Sequence, residues 1–299
     1  MKILLLGSRG QVGWQLARSL SVVGELTALH RESSGACGDL TQPEALAGTI
    51  RSLAPDVIVN AAAYTAVDLA EKERAAAFAV NADACEVLAT EARKLGAWLV
   101  HYSTDYVFDG TGERPWKETD PTAPVNAYGQ SKLTGEQAVA RCDRHLVLRT
   151  SWVFDTWGQN FLKSILRAAS LRESLNVVSD QWGAPTRAAL IADVTAHVLR
   201  RLAPEVAGIY HLAASGQTNW HAYAQLAIEH AAGCGMALKT HPDQVHPIAT
   251  ADYPTAAARP ANSRLDTSQL RRTFGLHLPA WQDGVRSVVA ELAAAREGR

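Results

Sequence analysis

The sequence predicts an α/β fold, a Rossmann-type doubly wound parallel sheet with a smaller C-terminal substrate-binding lobe. Three observations predict it: short apolar runs alternating with helix-period stretches over residues 1–150, a glycine-rich turn directly after the first run, and runs with no polar interruption. Alternation of strand and helix makes successive strands parallel, with the helices as crossovers. Runs such as Val57-Ile58-Val59 and Leu146-Val147-Leu148 are apolar on both sides of the pleat, as strands covered on both faces must be.

The elements follow in order. Short runs at 2–6, 25–29, 57–60, 98–103 and 145–149 are read as strands, and helix-period stretches at 13–20, 43–53, 75–95 and 132–139 as the helices between them. Beyond residue 150 the pattern loosens, with helices expected at 161–171, 191–202 and, rich in Ala and Arg, 281–296, and a strand at 208–212. Residues 242–262, rich in His, Pro, Thr and Ala, have little periodicity and are expected to be loop lining a substrate pocket. The division expected is a Rossmann domain over 1–150 and a lobe over 151–299, some of whose segments return to the core; 299 residues are more than one average domain holds. No internal repeat is visible.

Composition narrows the function classes. The chain is 47% hydrophobic and 20% charged, with no apolar stretch long enough for a membrane span. Lys and Arg number 29 against 30 for Asp and Glu, which gives no electrostatic footprint for nucleic acid or an anionic membrane and favours a small-molecule partner. Cys37, Cys85, Cys142 and Cys234 stand apart, suggesting neither a disulfide framework nor a zinc site and fitting a reducing cytoplasm. The apolar start at 3–6 is too short for a signal peptide and is expected to be the first strand.

That strand runs into Gly7-Ser8-Arg9-Gly10-Gln11-Val12-Gly13 and then a helical pattern. Gly7 suits the tight turn, Gly10 a close backbone approach to phosphates, and Gly13 close helix packing, with the helix N-terminus offering free N–H groups and a positive dipole end to a pyrophosphate. The spacing is G-x-x-G-x-x-G rather than G-x-G-x-x-G, and the bare pattern also fits an ordinary loop; the strand–turn–helix context favours a dinucleotide. Where an acidic residue often holds the ribose of NAD, about 20 residues on, this chain has His30-Arg31. Arg31 suits the 2′-phosphate of NADP, or is a solvated loop charge. Asp39 and Leu40 suit the amino group and face of an adenine.

Tyr128 and Lys132 stand four residues apart, on one face of a helix. A free phenol has a pKa of about 10, and a neighbouring ammonium is expected to bring it nearer the working range. Tyr128 is then placed to give a proton to a carbonyl oxygen as hydride reaches its carbon, with Lys132 on the nicotinamide ribose. Taken alone, Y-x-x-x-K is common by chance. Thr104, at the end of the strand at 98–103, lies where Rossmann strands face their ligand and is expected to hydrogen-bond the carbonyl.

Gly7-x-x-Gly10-x-x-Gly13, Asn60-Ala61-Ala62-Ala63-Tyr64-Thr65, Ser103-Thr104-Asp105-Tyr106-Val107-Phe108-Asp109-Gly110 and Tyr128-x-x-x-Lys132 together resemble the extended short-chain dehydrogenase/reductase superfamily and, within it, the dTDP-4-dehydrorhamnose reductase family. The likeness continues through Leu148-Arg149-Thr150-Ser151-Trp152-Val153-Phe154, Asp180-Gln181-x-Gly183-x-Pro185-Thr186 and Arg259-Pro260-x-Asn262-Ser263-Arg264-Leu265. It implies that Gly10, Gln11 and Val12 contact the pyrophosphate, that Ala63, Tyr64 and Thr65 lie along the cofactor, and that Thr104, Tyr128 and Lys132 form the catalytic set. It further implies that Asp105 touches the sugar and that Trp152 and Val153 wall its pocket. Arg259 and Arg264 suit the substrate diphosphate or, equally, surface salt bridges. The implied reaction is reduction of dTDP-4-dehydro-β-L-rhamnose to dTDP-L-rhamnose, the last step of dTDP-L-rhamnose synthesis. NADPH is the expected cofactor, with NADH as the alternative; family members often carry an acid where His30 stands, and its absence here argues against NADH.

Some relatives hold magnesium with glutamates at a homodimer contact; here Gln15 and Leu190 stand in those regions, so a homodimer is allowed and no metal is expected. Epimerases and 4,6-dehydratases share the Tyr/Lys pair, but a dehydratase needs Asp then Glu after the threonine, and here Asp105 is followed by Tyr106. A non-catalytic NADP-binding regulatory subunit would be expected to have lost the Tyr/Lys pair.

Overall fold

The first apolar run, Lys2–Leu6, is strand β1 of the computed structural model, which describes residues 1–297. Then come helix α1 (Gln11–Leu20), β2 (Glu25–Leu29), α2 (Pro43–Leu53), β3 (Val57–Asn60), α3 (Ala84–Leu95), β4 (Trp98–Thr104), α4 (Ala127–Val139) and β5 (His145–Thr150). After residue 150 the main elements are α5 (Phe161–Leu171), β6 (Leu175–Val178), α6 (Ala188–Leu199), β7 (Gly208–His211), α7 (Trp220–Gly233), β8 (Val245–Ile248) and α8 (Trp281–Glu297).

Six strands form one parallel sheet in the order β7-β5-β4-β3-β1-β2. Chain order runs outward from β1 in both directions, and the reversal beside β1 opens a crevice at the C-terminal strand ends, where doubly wound sheets bind ligands. The sheet separates two apolar layers. Ile3, Leu5, Val100 and Leu148 pack with Leu16 of α1 and Ile191 of α6 on one face, and Leu4, Ile58, Leu99 and Val147 with Ile50 of α2, Leu88 of α3 and Val139 of α4 on the other. Each fully buried Leu, Ile or Val contributes about 1.5–3 kcal/mol of transfer free energy. A third cluster joins Leu162, Val177, Tyr223, Val245 and Val285 from α5, β6, α7, β8 and α8. The chain beyond residue 150 thus supplies both this cluster and the sheet's edge strand β7.

Three elements differ from expectation. The stretch 75–95 is not one helix: Arg74–Phe78 leads into a π-helical turn, Ala79–Asp83, and only then into α3. The extra residue of a π turn re-aims one side chain, here Asn81, whose amide donates to the Tyr64 carbonyl and the Ser131 hydroxyl and accepts from the Tyr64 N–H. Helix α4 starts at Ala127, well before 132, because the Asn126 side chain caps it by accepting from Gly129 N at 2.7 Å. The segment 242–262 is not all loop, since β8 pairs in parallel with β6; His246 and Pro247 hide the strand in the sequence. Among the described residues no helix is long and apolar enough to cross a membrane.

Candidate active site

The turn after β1 is built around Gly7, which sits at φ +82°; a Cβ there would meet the Ala62 nitrogen at 2.5 Å. Gly13 is as restricted, since its Cβ would lie 2.0 Å from the Gly7 carbonyl oxygen. The loop therefore closes against both β3 and α1. Gly10 caps α1 with no side-chain acceptor, so the first-turn N–H groups of Gln11 and Val12 are left for an anion. The Gln11 side chain is engaged elsewhere, accepting from Asn160 Nδ2 at 2.9 Å. This cradle fits a dinucleotide pyrophosphate.

At the end of β2, His30 Nδ1 accepts from Glu32 N, and Arg31 holds its guanidinium out in solvent, 3.7 Å from Asp39. The Asp39 carboxylate is taken up by Thr41 N, Thr41 Oγ1 and Gln42 Nε2; burial raises its pKa, but these hydrogen bonds and Arg31 outweigh that and lower it. Leu40 packs with Leu29 and Leu46 in the sheet's apolar layer. Ala63, Tyr64 and Thr65 follow β3 into the crevice, with Tyr64 fixed through Asn81 and, by its hydroxyl, to Glu73.

Thr104 and Asp105 are buried at the C-terminal end of β4. The Thr104 hydroxyl accepts from Tyr106 N at 3.2 Å and donates to Asp105 Oδ1 at 3.1 Å. Burial lifts the Asp105 carboxyl to about 7 against hydrogen bonds from Ser263 and Thr104, and its Oδ2 has no partner among the described residues. Tyr128 lies half-buried in the first turn of α4, edge-on to Tyr106 at 5.7 Å. Its phenol is raised above its ordinary value, first by burial and then by the Asp105 charge, with the hydrogen-bonded Thr104 hydroxyl opposing. Lys132, one turn on, reaches deeper: Nζ donates to the Tyr102 carbonyl at 2.7 Å and contacts His101 Nε2 at 3.1 Å. The pair therefore shares a helix face but meets different rungs of β4. Burial and the Asp105 charge set the direction of the phenol's shift, and Lys132 is not among the groups acting on it.

Trp152 has φ +49°, a left-handed conformation that costs a bulky residue about 1–3 kcal/mol. It is held by stacking on Trp220 at 3.6 Å and by Gly183, whose Cβ would lie 2.7 Å from the indole. Val153 begins a short parallel pairing with Thr186 and packs on the sheet's apolar layer. Arg259 is salt-bridged to Asp68, the second of the two roles expected for it, and also acts on the Tyr106 hydroxyl. Arg264 donates to the Glu113 carbonyl and lies 5.0 Å over the Trp182 ring.

The groups brought together are thus Thr104, Asp105, Tyr128 and Lys132, at the C-terminal end of β4 in the same parallel sheet whose β1 ends in the Gly7 turn. His101, Asn60 and Cys85 behind Lys132, and Asn81 at the π turn, were given no role from the sequence. A polar residue inside the otherwise apolar start of Trp98–Thr104 was the available signal for His101. No group of carboxylates, cysteines or histidines able to hold a metal occurs among the described residues. Gln15 donates its amide to Asp155, and Arg187 places a cation between Asp155 and Glu291, so this region does not fit a divalent ion. Surface hollows of about 380 and 610 Å³, lined by Gly96, Ala97 and Arg144, open at the opposite ends of the strands and contain none of the site residues.

A family model described as the RmlD substrate binding domain matches residues 1–294. A dTDP-4-dehydrorhamnose reductase of Salmonella typhimurium is 52% identical over 295 residues, 98% of each chain, and one of Burkholderia thailandensis is 48% identical over 299 residues, 98% of this chain and 99% of its own. A solved dTDP-4-dehydrorhamnose reductase from Clostridium acetobutylicum superposes with a TM-score of 0.89 at 31% identity, covering 98% of this chain and 99% of that one. One from Bacillus anthracis, in complex with NADP, gives 0.87 at 32% identity over 97% and 99%. Glycine cradle, Thr104, Tyr128 and Lys132 thus lie in a chain matched from end to end, and the chain belongs to the dTDP-4-dehydrorhamnose reductase family.

Proposed function

We propose that this protein reduces the C4 keto group of dTDP-4-dehydro-β-L-rhamnose to give dTDP-L-rhamnose, with NADPH as reductant. The observation that carries the proposal is the Tyr128 phenol beside the Thr104 hydroxyl at the end of β4, on the same sheet edge as the Gly7–Gly13 cradle. The residues named in that cradle, with Ala63, Tyr64 and Thr65, would hold the cofactor, which supplies the hydride when bound.

In the direction of reduction the chain must deliver a proton and stabilise a developing alkoxide. Burial keeps the Tyr128 proton on its oxygen, so at neutral pH the residue is a loaded acid. Thr104 polarises the carbonyl from beside it, and transfer of the phenolic proton to the carbonyl oxygen completes the alcohol. Lys132 puts its charge beneath the resulting phenolate and would hold the nicotinamide ribose. Asp105, with one oxygen unpartnered, is placed to accept from a sugar hydroxyl, and Trp152 to wall the ring. Arg31, with its guanidinium exposed at the end of β2, supports NADPH over NADH. The four cysteines are unpaired, which supports a cytoplasmic setting.

The test is purified protein with dTDP-4-dehydro-β-L-rhamnose and NADPH, followed by absorbance and by product analysis. One NADPH consumed per dTDP-L-rhamnose formed is expected. Sugar interconversion without net NADPH loss would replace the proposal with an epimerase, and no turnover of a folded, NADPH-binding protein would refute it.

A further inference from the structure

Behind Lys132 lies a buried polar chain that the proposed reaction leaves without a role. His101 is 1% exposed, Asn60 1%, Lys132 2% and Cys85 0%. His101 Nε2 lies 3.1 Å from Lys132 Nζ, His101 Nδ1 lies 3.2 Å from the Asn60 side-chain amide, and Cys85 Sγ is 3.9 Å from both ring nitrogens. Buried polar groups are costly unless each is paired, so four of them under a reacting residue require an explanation.

We propose that His101 is a positioning residue for Lys132: its Nε2 and the Tyr102 carbonyl accept two of the three N–H bonds of Nζ, leaving the third for the cofactor. An ammonium has three donors and no acceptor. With Tyr102 O at 2.7 Å and His101 Nε2 at 3.1 Å, two are fixed on one side, and no other described residue takes the third. The flexible lysine stem is thereby held in one geometry. The imidazole can accept only while neutral, and burial together with the Lys132 charge keeps it so. An ammonium can only donate, so its contact makes Nε2 the acceptor and puts the imidazole proton on Nδ1, on the side of Cys85 Sγ at 3.9 Å. Asn60, at the end of β3, accepts from Ala62 N through its Oδ1 at 3.2 Å and packs its amide nitrogen against the ring and Cys85.

The inference rests on the proposed use of a nicotinamide cofactor and is separable from it. The charged and titratable groups facing Lys132 are His101 on β4, Cys85 on α3 and Glu136 on its own helix. Burial disfavours the ammonium, opposed by Cys85 and Glu136. Removing the Nε2 acceptor weakens the ammonium further, so it loses its proton at lower pH.

The experiment compares the parent with H101Q, whose carbonyl reaches the Nε2 position, and H101N, whose shorter side chain reaches only Nδ1. NADPH dissociation constants are measured across pH by fluorescence, with kcat alongside and thermal melting as the control for folding. H101N is expected to bind NADPH about tenfold more weakly, the fold-change of one charge-assisted hydrogen bond. Its alkaline limb should move about one unit toward acid, while H101Q stays near the parent in both. Superimposable pH limbs for H101N and the parent, or equal shifts in H101N and H101Q, would overturn the proposal. A purely packing role would change the melting temperature and leave the limb in place. A parent that binds NADPH yet leaves the keto sugar unreduced refutes the proposed reaction, while the binding profile still decides the role of His101.

Discussion

Replacing Tyr128 with Phe deletes one oxygen and leaves the ring. The ring keeps its edge contact with Tyr106 at 5.7 Å, and the hydrogen bond lost is with the Thr104 hydroxyl, about 0.5–1.5 kcal/mol of stability for a neutral hydrogen bond. Thr104 retains its own bonds to Tyr106 N and Asp105, so the helix and strand should stay in place. Loss of a general acid lowers kcat by about 10²–10⁴-fold, or about 2.7–5.5 kcal/mol of barrier. That exceeds the stability cost, so a melting temperature within a few degrees of the parent with turnover nearly abolished is expected. The NADPH dissociation constant should be unchanged. Because the phenol in the parent is held above its usual value by burial and Asp105, parent kcat for reduction should not fall through loss of the Tyr128 proton between pH 6 and 9. Near-normal turnover by Tyr128→Phe, or a parent kcat lost with phenol ionisation near neutral pH, would refute the assignment.

Asp105→Asn should alter the pH dependence of stability. The folded carboxyl titrates at about 7 against 3.8 in the unfolded chain, so its contribution is fully present below the lower value and is lost as pH rises through the higher one. Melting temperatures at pH 5 and 8 should therefore shift in favour of the variant as pH rises; a constant gap would count against a buried, proton-holding Asp105. Arg31→Asp should move cofactor preference from NADPH toward NADH at little cost in stability, because Arg31 is 70% exposed and its pair with Asp39 is long; an unchanged ratio of kcat/KM values would exclude Arg31 as the reader of the 2′-phosphate. Gly135→Ala would put a Cβ 2.0 Å from the Asn81 carbonyl, a backbone clash expected to cost about 1–3 kcal/mol and, by pushing α4 off the π turn, to lower kcat more than it raises KM for NADPH. Chemical denaturation and steady-state kinetics check both effects, and unchanged stability would show that the helix shifts freely.

The parallel sheet was legible because both-face burial writes itself as unbroken apolar runs, and β1, β3 and β5 lie within a residue or so of those runs. Thr104, Tyr128 and Lys132 were legible because strand ends and helix spacing place side chains by geometry alone. What escaped depended on contacts distant in sequence. The π turn exists because Asn81 must meet Tyr64 and Ser131, 17 and 50 residues away, and no local period encodes that. The early start of α4 rests on one capping side chain, Asn126. Spacing along a helix gives proximity to Lys132 but not the depth at which the phenol is buried, and burial is the first cause of its shift.

Strand β4 shows how one short segment serves both stability and chemistry. Successive side chains alternate between its faces: Trp98, Val100 and Tyr102 enter the layer with α1 and α6, while Leu99 enters the opposite layer with α3 and α4. On that second face the positions run Leu99, His101, Ser103, from apolar to polar toward the C-terminal end. The gradient lets α4 close on β4 with Val139 against the core at its far end and Lys132 against His101 in the middle, leaving Tyr128 over Thr104 at the mouth. A uniformly apolar face would leave the buried Lys132 charge with the Tyr102 carbonyl as its one acceptor among the described residues, an under-satisfied charge that draws the helix away from the sheet toward water. Withdrawal would carry Tyr128 away from Thr104. The placement of the Tyr128 phenol therefore depends on a histidine one turn below it, and the two should respond together when either is changed.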